Sequence, residues 1–254
     1  VNAADRLVAN THAEAKELIE LYHADPNRVR VVHPGVDLDV FVPGDQKDVR
    51  KELGVPENAI VLLFVGRIQP LKAPDVLIQA AAEILKRSPE LRSRLLVAIC
   101  GGPSGSGLER PDALVDLARQ LGVSDVVQFV PPTSRAELVK WFQAASVCVV
   151  PSYSESFGLV AIEAQACGTP VIAARVGGLP TAVRDGISGI LVDGHEPATW
   201  ANHIIEVGSN ETLRSKLSAG AIAHASHFGW EDTTEQLISV YSEAIKSSML
   251  RANV

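Results

Sequence analysis

Apolar runs rich in Val, Ile and Leu recur along the chain. They read V-R-V-V at 29–32, I-V-L-L-F-V at 60–65, L-L-V-A-I-C at 95–100, V-V-Q-F-V at 126–130, V-C-V-V at 147–150 and V-I-A-A at 171–174, with a shorter G-I-L-V ending at Val192. Between them lie stretches with apolar residues at helical spacing, at 74–86, 112–121, 135–145, 157–167 and 179–184. Strands that are apolar on both faces and alternate with helices belong to a parallel sheet covered on both sides. The pattern therefore predicts an α/β domain built on a doubly wound, Rossmann-like parallel sheet. Ligands of such sheets sit beyond the carboxyl ends of the strands. Here those ends read G-R at 66–67, G-G at 101–102, P-P-T at 131–133 and P-S-Y-S-E at 151–155.

The flanks follow a different pattern. Residues 1–28 read as a helix starting at Asn10 and Thr11, and H-P-G-V-D (33–37) with F-V-P-G (41–44) reads as a turn-rich linker. From Pro197 onward the chain is helical without strand signals, in three helices parted near Ser209 and Gly229. The chain opens on V-N-A-A-D-R rather than Met, so an N-terminal part is expected to precede it.

Composition narrows the classes. A hydrophobic fraction of 46% is ample for a packed core, and no segment approaches the roughly 18 unbroken apolar residues of a membrane span. A net charge of -7 argues against a nucleic-acid partner, which generally needs a basic face. Cys100, Cys148 and Cys167 sit among apolar or small residues without metal-ligand spacing, and read as buried reduced thiols of a cytoplasmic protein.

Candidate chemistry collects at the predicted strand ends. G-R-I-Q-P-L-K (66–72) places Arg67 and Lys72 in a strand-to-helix loop; a guanidinium fork and a mobile ammonium both suit phosphate, though solvated surface cations would look the same. C-G-G-P-S-G-S-G (100–107) lets backbone N–H groups approach a ligand closely, but does not match the dinucleotide fingerprint, and a flexible loop reads equally well. The third stretch, S-Y-S-E-S-F-G-L-V-A-I-E (152–163), carries Glu155 just before a helix expected to start near Phe157 or Gly158. Unpaired N–H groups at a helix start make a seat for a diphosphate. Glu163 follows about two turns on, where a carboxylate could accept both hydroxyl protons of a ribose diol or pair internally with a base. Two acids also suggest glycoside hydrolysis. The Arg/Lys pair and the helix start favour a phosphorylated leaving group, hence transfer from a nucleotide sugar.

Arg67 with Lys72, and E-S-F-G-L-V-A-I-E with its E-x7-E spacing, resemble the retaining family-4 glycosyltransferases of the GT-B fold. I-C-G-G-P-S-G (99–105), A-A-R-V-G-G-L-P (173–180) and G-I-L-V-D-G-H (189–195) are similar to the branch that glycosylates inositol 3-phosphate in mycothiol biosynthesis, and the sucrose-phosphate synthase branch shares some of them. The resemblance implies the C-terminal half of a GT-B enzyme. Residues 1–36 would be the remnant of an acceptor domain and hinge, 37–228 the nucleotide-sugar domain, and 229–254 a helix packing back on the absent part.

It also implies transfer from UDP-N-acetylglucosamine to 1D-myo-inositol 3-phosphate with retention, with no cofactor required for the chemistry and a homodimer among the expectations. Arg67 and Lys72 would hold the diphosphate. Glu155 would contact the sugar beside the N–H groups of Ser156, Phe157, Gly158, Leu159 and Val160, while Gly101 and Gly102 would border the donor. Glu163 would hold the ribose, and the loop from Val130 to Thr133 the uracil. A structural Mg²⁺ would sit at Phe142, Gln143, Ala145 and Thr169. Two departures stand out: Ala73 replaces the usual Gly after Lys72, and Thr133 stands where a relative offers Arg to the base. His33 and His195 read as turn or hinge residues. The alternatives are a sucrose-phosphate-synthase-like or other family-4 hexosyltransferase, a non-catalytic UDP-sugar-binding fragment, and a sugar-nucleotide epimerase of similar fold.

Overall fold

The computed structural model describes residues 1, 3–105 and 112–252. Its first elements form a small unit of their own. β1 (Leu7–Ala9) pairs in parallel with β2 (Val29–Val31), and α1 (His12–Glu20) connects them. Thr11 caps α1, its hydroxyl accepting from the Glu14 N–H at 3.1 Å. Two expectations are corrected here: residues 1–28 are not helix throughout, and 29–32 lies outside the main sheet. The partner strand is only three residues long, too short for alternation to reveal it.

The linker then leads into α2 (Gln46–Leu53). Asp45 caps it through the N–H groups of Lys47 and Asp48, and Gly54 ends it at φ 69°. Its sequence, Q-K-D-V-R-K-E-L, is too charged to show an apolar stripe, so the hydrophobic pattern does not announce it.

The main body alternates strictly: β3 (Ile60–Val65), α3 (Pro74–Arg87), β4 (Leu95–Cys100), α4 (Ala113–Gln120), β5 (Val127–Val130), α5 (Arg135–Ala144), β6 (Val147–Val150), α6 (Leu159–Ala166), β7 (Val171–Ala174), α7 (Leu179–Ala182) and β8 (Gly189–Val192). The six strands are all parallel in the order β5-β4-β3-β6-β7-β8. Helices cover both faces, so consecutive residues of the central strands are equally buried: Val61, Leu62 and Leu63 in β3, and Val147, Cys148 and Val149 in β6, are fully enclosed. Counted within the sheet, the order is 3-2-1-4-5-6. The winding reverses between β3 and β6, and a crevice opens beyond their carboxyl ends.

Three helices complete the fold: α8 (Pro197–Ser209), packed on α3; α9 (Glu211–Ala225), packed on α6; and α10 (Trp230–Ala252). α10 returns to the first unit. Glu243 accepts from Arg6 Nε at 3.1 Å and Arg30 Nη2 at 2.7 Å, and the Thr233 hydroxyl donates to the His33 carbonyl at 2.9 Å. The main core and the small cluster of Ala9, Ala15, Ala24 and Val29 are separate. No helix among the described residues is long and apolar enough to cross a membrane.

Candidate active site

The crevice between β3 and β6 holds two cavities that meet at Gly66 and Arg67. One, of about 450 Å³, is walled by Arg67, Lys72, Glu155 and the backbone from Ser156 to Val160, with Asn10 and Pro34 closing the side toward the first unit. The other, of about 410 Å³, lies between Gly101, Gly102, Ser104 and the loop of Pro131, Pro132 and Thr133. Of the sequence-predicted residues, the structure gathers Arg67, Lys72, Glu155 and the five positions 156–160 around the first cavity, and Gly101, Gly102 and Thr133 around the second. Val130 stands off both walls: it ends β5, and its carbonyl accepts the Gly101 N–H at 2.9 Å. Ser106 and Gly107 of the glycine-rich stretch lie outside the described residues.

The two cations are in different states. Arg67 is exposed and makes no hydrogen bond or ion pair among the described residues. Lys72 is largely buried and its Nζ lies 2.6 Å from Glu155 Oε2, itself largely buried. Between them α6 begins. Gly158 precedes it at φ 104°, a conformation that disfavours any side chain, and no side chain caps the helix. The N–H groups of Leu159 and Val160 consequently find no acceptor among the described residues. Free amides, the positive end of a helix and an unpaired guanidinium together make an anion seat.

The loop before α6 is fixed by its backbone. The Gly178 N–H donates to the Glu155 carbonyl at 2.8 Å, and a Cβ at Gly177 would overlap that carbonyl oxygen, so the G-G of A-A-R-V-G-G-L-P lets two loops lie directly on one another. His33 supports the same loop from the other side. Its Nδ1 lies 2.7 Å from the Asn10 carbonyl, and its ring stacks on Phe157 with centroids 5.7 Å apart. That stacking brings Asn10 and Pro34 to the cleft, which sequence reasoning missed because they belong to a different unit. His195 lies 3.2 Å from the Ser152 carbonyl and packs on Tyr153, steadying the turn after β6 without lining either cavity.

Glu163 is half-buried on α6, off both cavity walls, with no hydrogen bond or ion pair among the described residues. Burial pushes its carboxyl up to about 7, while Arg135 on α5 pulls the other way. Ala73 adopts φ 51°, in the left-handed region, where the resemblance leads one to expect glycine. The cysteines are all buried; burial raises the thiols, those of Cys100 and Cys167 to about 12, so thiolate chemistry is suppressed.

This arrangement has relatives. The family model described as "Glycosyl transferases group 1" matches residues 45–224, and that of "Glycosyltransferase Family 4" matches residues 1–40. The chain belongs to the group 1 glycosyl transferases. Among relatives of this group 1 glycosyl transferase is the D-inositol 3-phosphate glycosyltransferase of Thermobispora bispora, 59% identical over 97% of this chain and 58% of that protein. Among solved structures, sucrose-phosphate synthase from Thermosynechococcus elongatus superposes with a TM-score of 0.84 at 30% identity, over 96% of this chain and 59% of that one. The Anabaena protein HepE in complex with UDP gives a TM-score of 0.85 at 25% identity, over 94% and 64%. The chain thus spans a little over half the length of the curated relatives it matches.

The opposite, amino edge of the sheet of this group 1 glycosyl transferase carries the four residues considered for a metal. The Thr169 hydroxyl donates to the Phe142 carbonyl at 2.6 Å. Gln46 Nε2 reaches the carbonyls of Gln143 and Ala145 at 3.4 and 2.9 Å, and Arg50 takes that of Ala144 at 2.9 Å. The oxygens gather at the negative end of α5 and are of the hard, neutral kind that Mg²⁺ accepts. No group of three His, Cys, Asp or Glu stands ready to hold a metal among the described residues.

Proposed function

We propose that this chain is the donor-binding half of a retaining glycosyltransferase that transfers N-acetylglucosamine from UDP-N-acetylglucosamine to 1D-myo-inositol 3-phosphate. The observation that carries the reading is the pair of cavities joined at Arg67. An anion seat made of Arg67, Lys72 and the first amides of α6 lies beside a pocket walled by glycines and prolines, dimensions and chemistry that suit a diphosphate between a sugar and a base. The 59% identity to a protein named for inositol phosphate supports the acceptor.

In this reading the diphosphate lies across the start of α6 and between the two cations. The bond from the anomeric carbon to the diphosphate oxygen breaks, and the developing charge is taken up by Arg67, Lys72 and the amides of Leu159 and Val160. Glu155 is the only carboxylate among the described residues on that cavity wall, and it already faces Lys72. The acceptor hydroxyl attacks from the face the diphosphate leaves, and its proton passes to the departing phosphate oxygen. Glu163 holds the ribose. The acceptor site falls in the part of the relatives that this chain does not span. A Mg²⁺ at Phe142, Gln143, Ala145 and Thr169, on the far edge of the sheet, would brace α5 and supply no chemistry at the cleft.

The test is release of UDP from UDP-N-acetylglucosamine by the enzyme carrying this chain, with and without inositol 3-phosphate. Acceptor-dependent release supports the proposal. Release that answers only to the acceptor of sucrose-phosphate synthase would transfer the assignment to that branch, consistent with the structural likeness. UDP binding without turnover with any acceptor would leave a non-catalytic binding module.

A further inference from the structure

Three rings close on one another beside the cleft. The His33 and Phe157 centroids lie 5.7 Å apart, His33 and Phe228 5.6 Å, and Phe157 and Phe228 5.7 Å. Phe157 and Phe228 are both buried. Each ring comes from a different part of the chain. His33 follows β2 and Phe228 precedes α10, so these two stand on the segments that join the first unit to the main body, while Phe157 belongs to the loop that opens α6. The Val36 N–H donates to the Phe228 carbonyl at 2.8 Å, and the Thr233 hydroxyl donates to the His33 carbonyl at 2.9 Å. These bonds fasten the two joining segments to each other.

Of the three rings only that of His33 can also hydrogen-bond. Its Nδ1 lies 2.7 Å from the Asn10 carbonyl. A carbonyl only accepts, so Nδ1 carries the hydrogen and donates. The Asn10 N–H in turn donates to Glu14 Oε2 at 2.6 Å, which fixes this residue from both sides of its backbone. Asn10 borders the same cavity as Arg67 and the start of α6.

We propose that His33 is a positioning residue for the transfer reaction, and that its two contacts act separately. The ring braces Phe157 and so holds the amides of Leu159 and Val160 where a diphosphate meets them. The Nδ1–H bond holds Asn10, and with it the wall of the cavity that faces the first unit, in register with that anion seat. Loss of the first contact loosens the seat; loss of the second leaves the seat intact but lets the opposite wall shift, and misplacement of a reacting group costs rate. The inference rests on the nucleotide-sugar reading of the cleft and adds to it a residue that touches neither substrate.

The two contacts can be removed one at a time. His33→Asn keeps an N–H donor near the place of Nδ1 and removes the ring. His33→Phe keeps a ring of similar size and removes the donor. The experiment is calorimetric titration with UDP, together with acceptor-dependent turnover of UDP-N-acetylglucosamine with inositol 3-phosphate, on the enzyme carrying this chain and on both variants, with Tm recorded for each. His33→Asn should weaken UDP binding by roughly two- to tenfold, the worth of one aromatic pair. Phe157→Leu, which removes the same contact from the loop side, should repeat that result. His33→Phe should bind UDP within about twofold of wild type yet lower kcat by roughly tenfold, the worth of one hydrogen bond. A histidine that only stabilises the fold cannot separate the two readouts. Parallel losses of affinity and rate in both variants, or wild-type behaviour in either, overturn the positioning role while wild type still binds UDP. A wild type that does not bind UDP overturns the nucleotide-sugar reading and this proposal together.

Discussion

Arg50 and Arg67 sit at opposite edges of one parallel sheet and are treated in opposite ways. Arg50, on α2 at the amino edge, is 5% exposed and donates to the carbonyls of Ala144 and Glu57 and to the Ser146 hydroxyl, at 2.9, 2.6 and 3.1 Å. Ser146 in turn accepts the Val61 N–H at 3.0 Å, which ties α2, β3 and the start of β6 together. Arg67, at the carboxyl edge, is exposed and has no partner among the described residues. The same contrast holds around them. At the amino edge the terminal carbonyls of α5 are matched by Gln46, Thr169 and Arg50, while at the carboxyl edge the first amides of α6 have no match among the described residues. Polar capacity that a fold leaves unmatched in a cleft is capacity for a ligand; matched capacity is structure.

The largest effect should come from breaking the matched edge. Arg50→Ala removes three hydrogen bonds from a charged donor, each worth about 1.5 kcal/mol, and should lower unfolding free energy by about 3–5 kcal/mol. Burial and Arg214 already pull this guanidinium below its ordinary pKa, so the site has little other means of solvating it. Denaturant unfolding measures the loss. A change below about 1 kcal/mol would remove the structural half of the contrast.

Arg67→Ala should do the reverse. An exposed, unpartnered side chain contributes within about 0.5 kcal/mol to stability, yet its loss should lower kcat of the transferase by about 10²–10³, the scale of one preorganised donor facing developing charge. A variant with near-normal kcat and a raised KM would show that Arg67 binds the donor in ground and transition states alike, and the leaving-group role would be withdrawn.

Glu163 offers a third, smaller test. An acid raised to about 7 by burial, against an ordinary 4.5, binds more protons folded than unfolded between those pH values. Its ionisation therefore weakens the fold as pH rises from 4.5 through 7. The proposed ribose contact needs the ionised form as acceptor, so on that reading UDP affinity should rise over the upper part of that window, by up to about tenfold per pH unit below 7. Titrations at pH 6, 7 and 8 check this, with Glu163→Gln giving weaker and pH-independent binding. Equal pH dependence in the variant would assign the titration to another group.

How much of this was readable in the sequence follows from which interactions are local. The central strands were legible because a sheet covered on both faces is apolar at every position there, as β3 and β6 show directly, while edge strand β5 keeps Gln128 and a partly exposed run. The strand ends located Arg67, Lys72 and the loop before α6 for the same reason. β2 was misassigned because V-R-V-V looks like the other runs and only its pairing with L-V-A at 7–9 separates it. α2 was missed although Asp45 and Gly54 supplied its start and stop signals. Pairing across distance was not legible at all: Lys72 and Glu155 are 83 residues apart, and Asn10 enters the cleft only through His33 and Phe157.

The smallest predicted effect concerns a place where the open edge is strained as well as unmatched. Ala73 follows Lys72 directly, is fully buried, and holds φ 51° at the start of α3 with no side-chain cap. A left-handed alanine costs roughly 1–2 kcal/mol, and glycine there relieves it. Glycine also adds roughly 0.5–1 kcal/mol of freedom to the unfolded chain, so Ala73→Gly should stabilise the fold by no more than about 1 kcal/mol. A small rise in Tm with donor affinity unchanged means that the strain only burdens stability. A rise in Tm with weaker donor binding means that the strained alanine holds Lys72 at its station, and ties the backbone of this edge to its chemistry. A fall in Tm would show that the surrounding packing favours the alanine methyl by more than the dihedral opposes it.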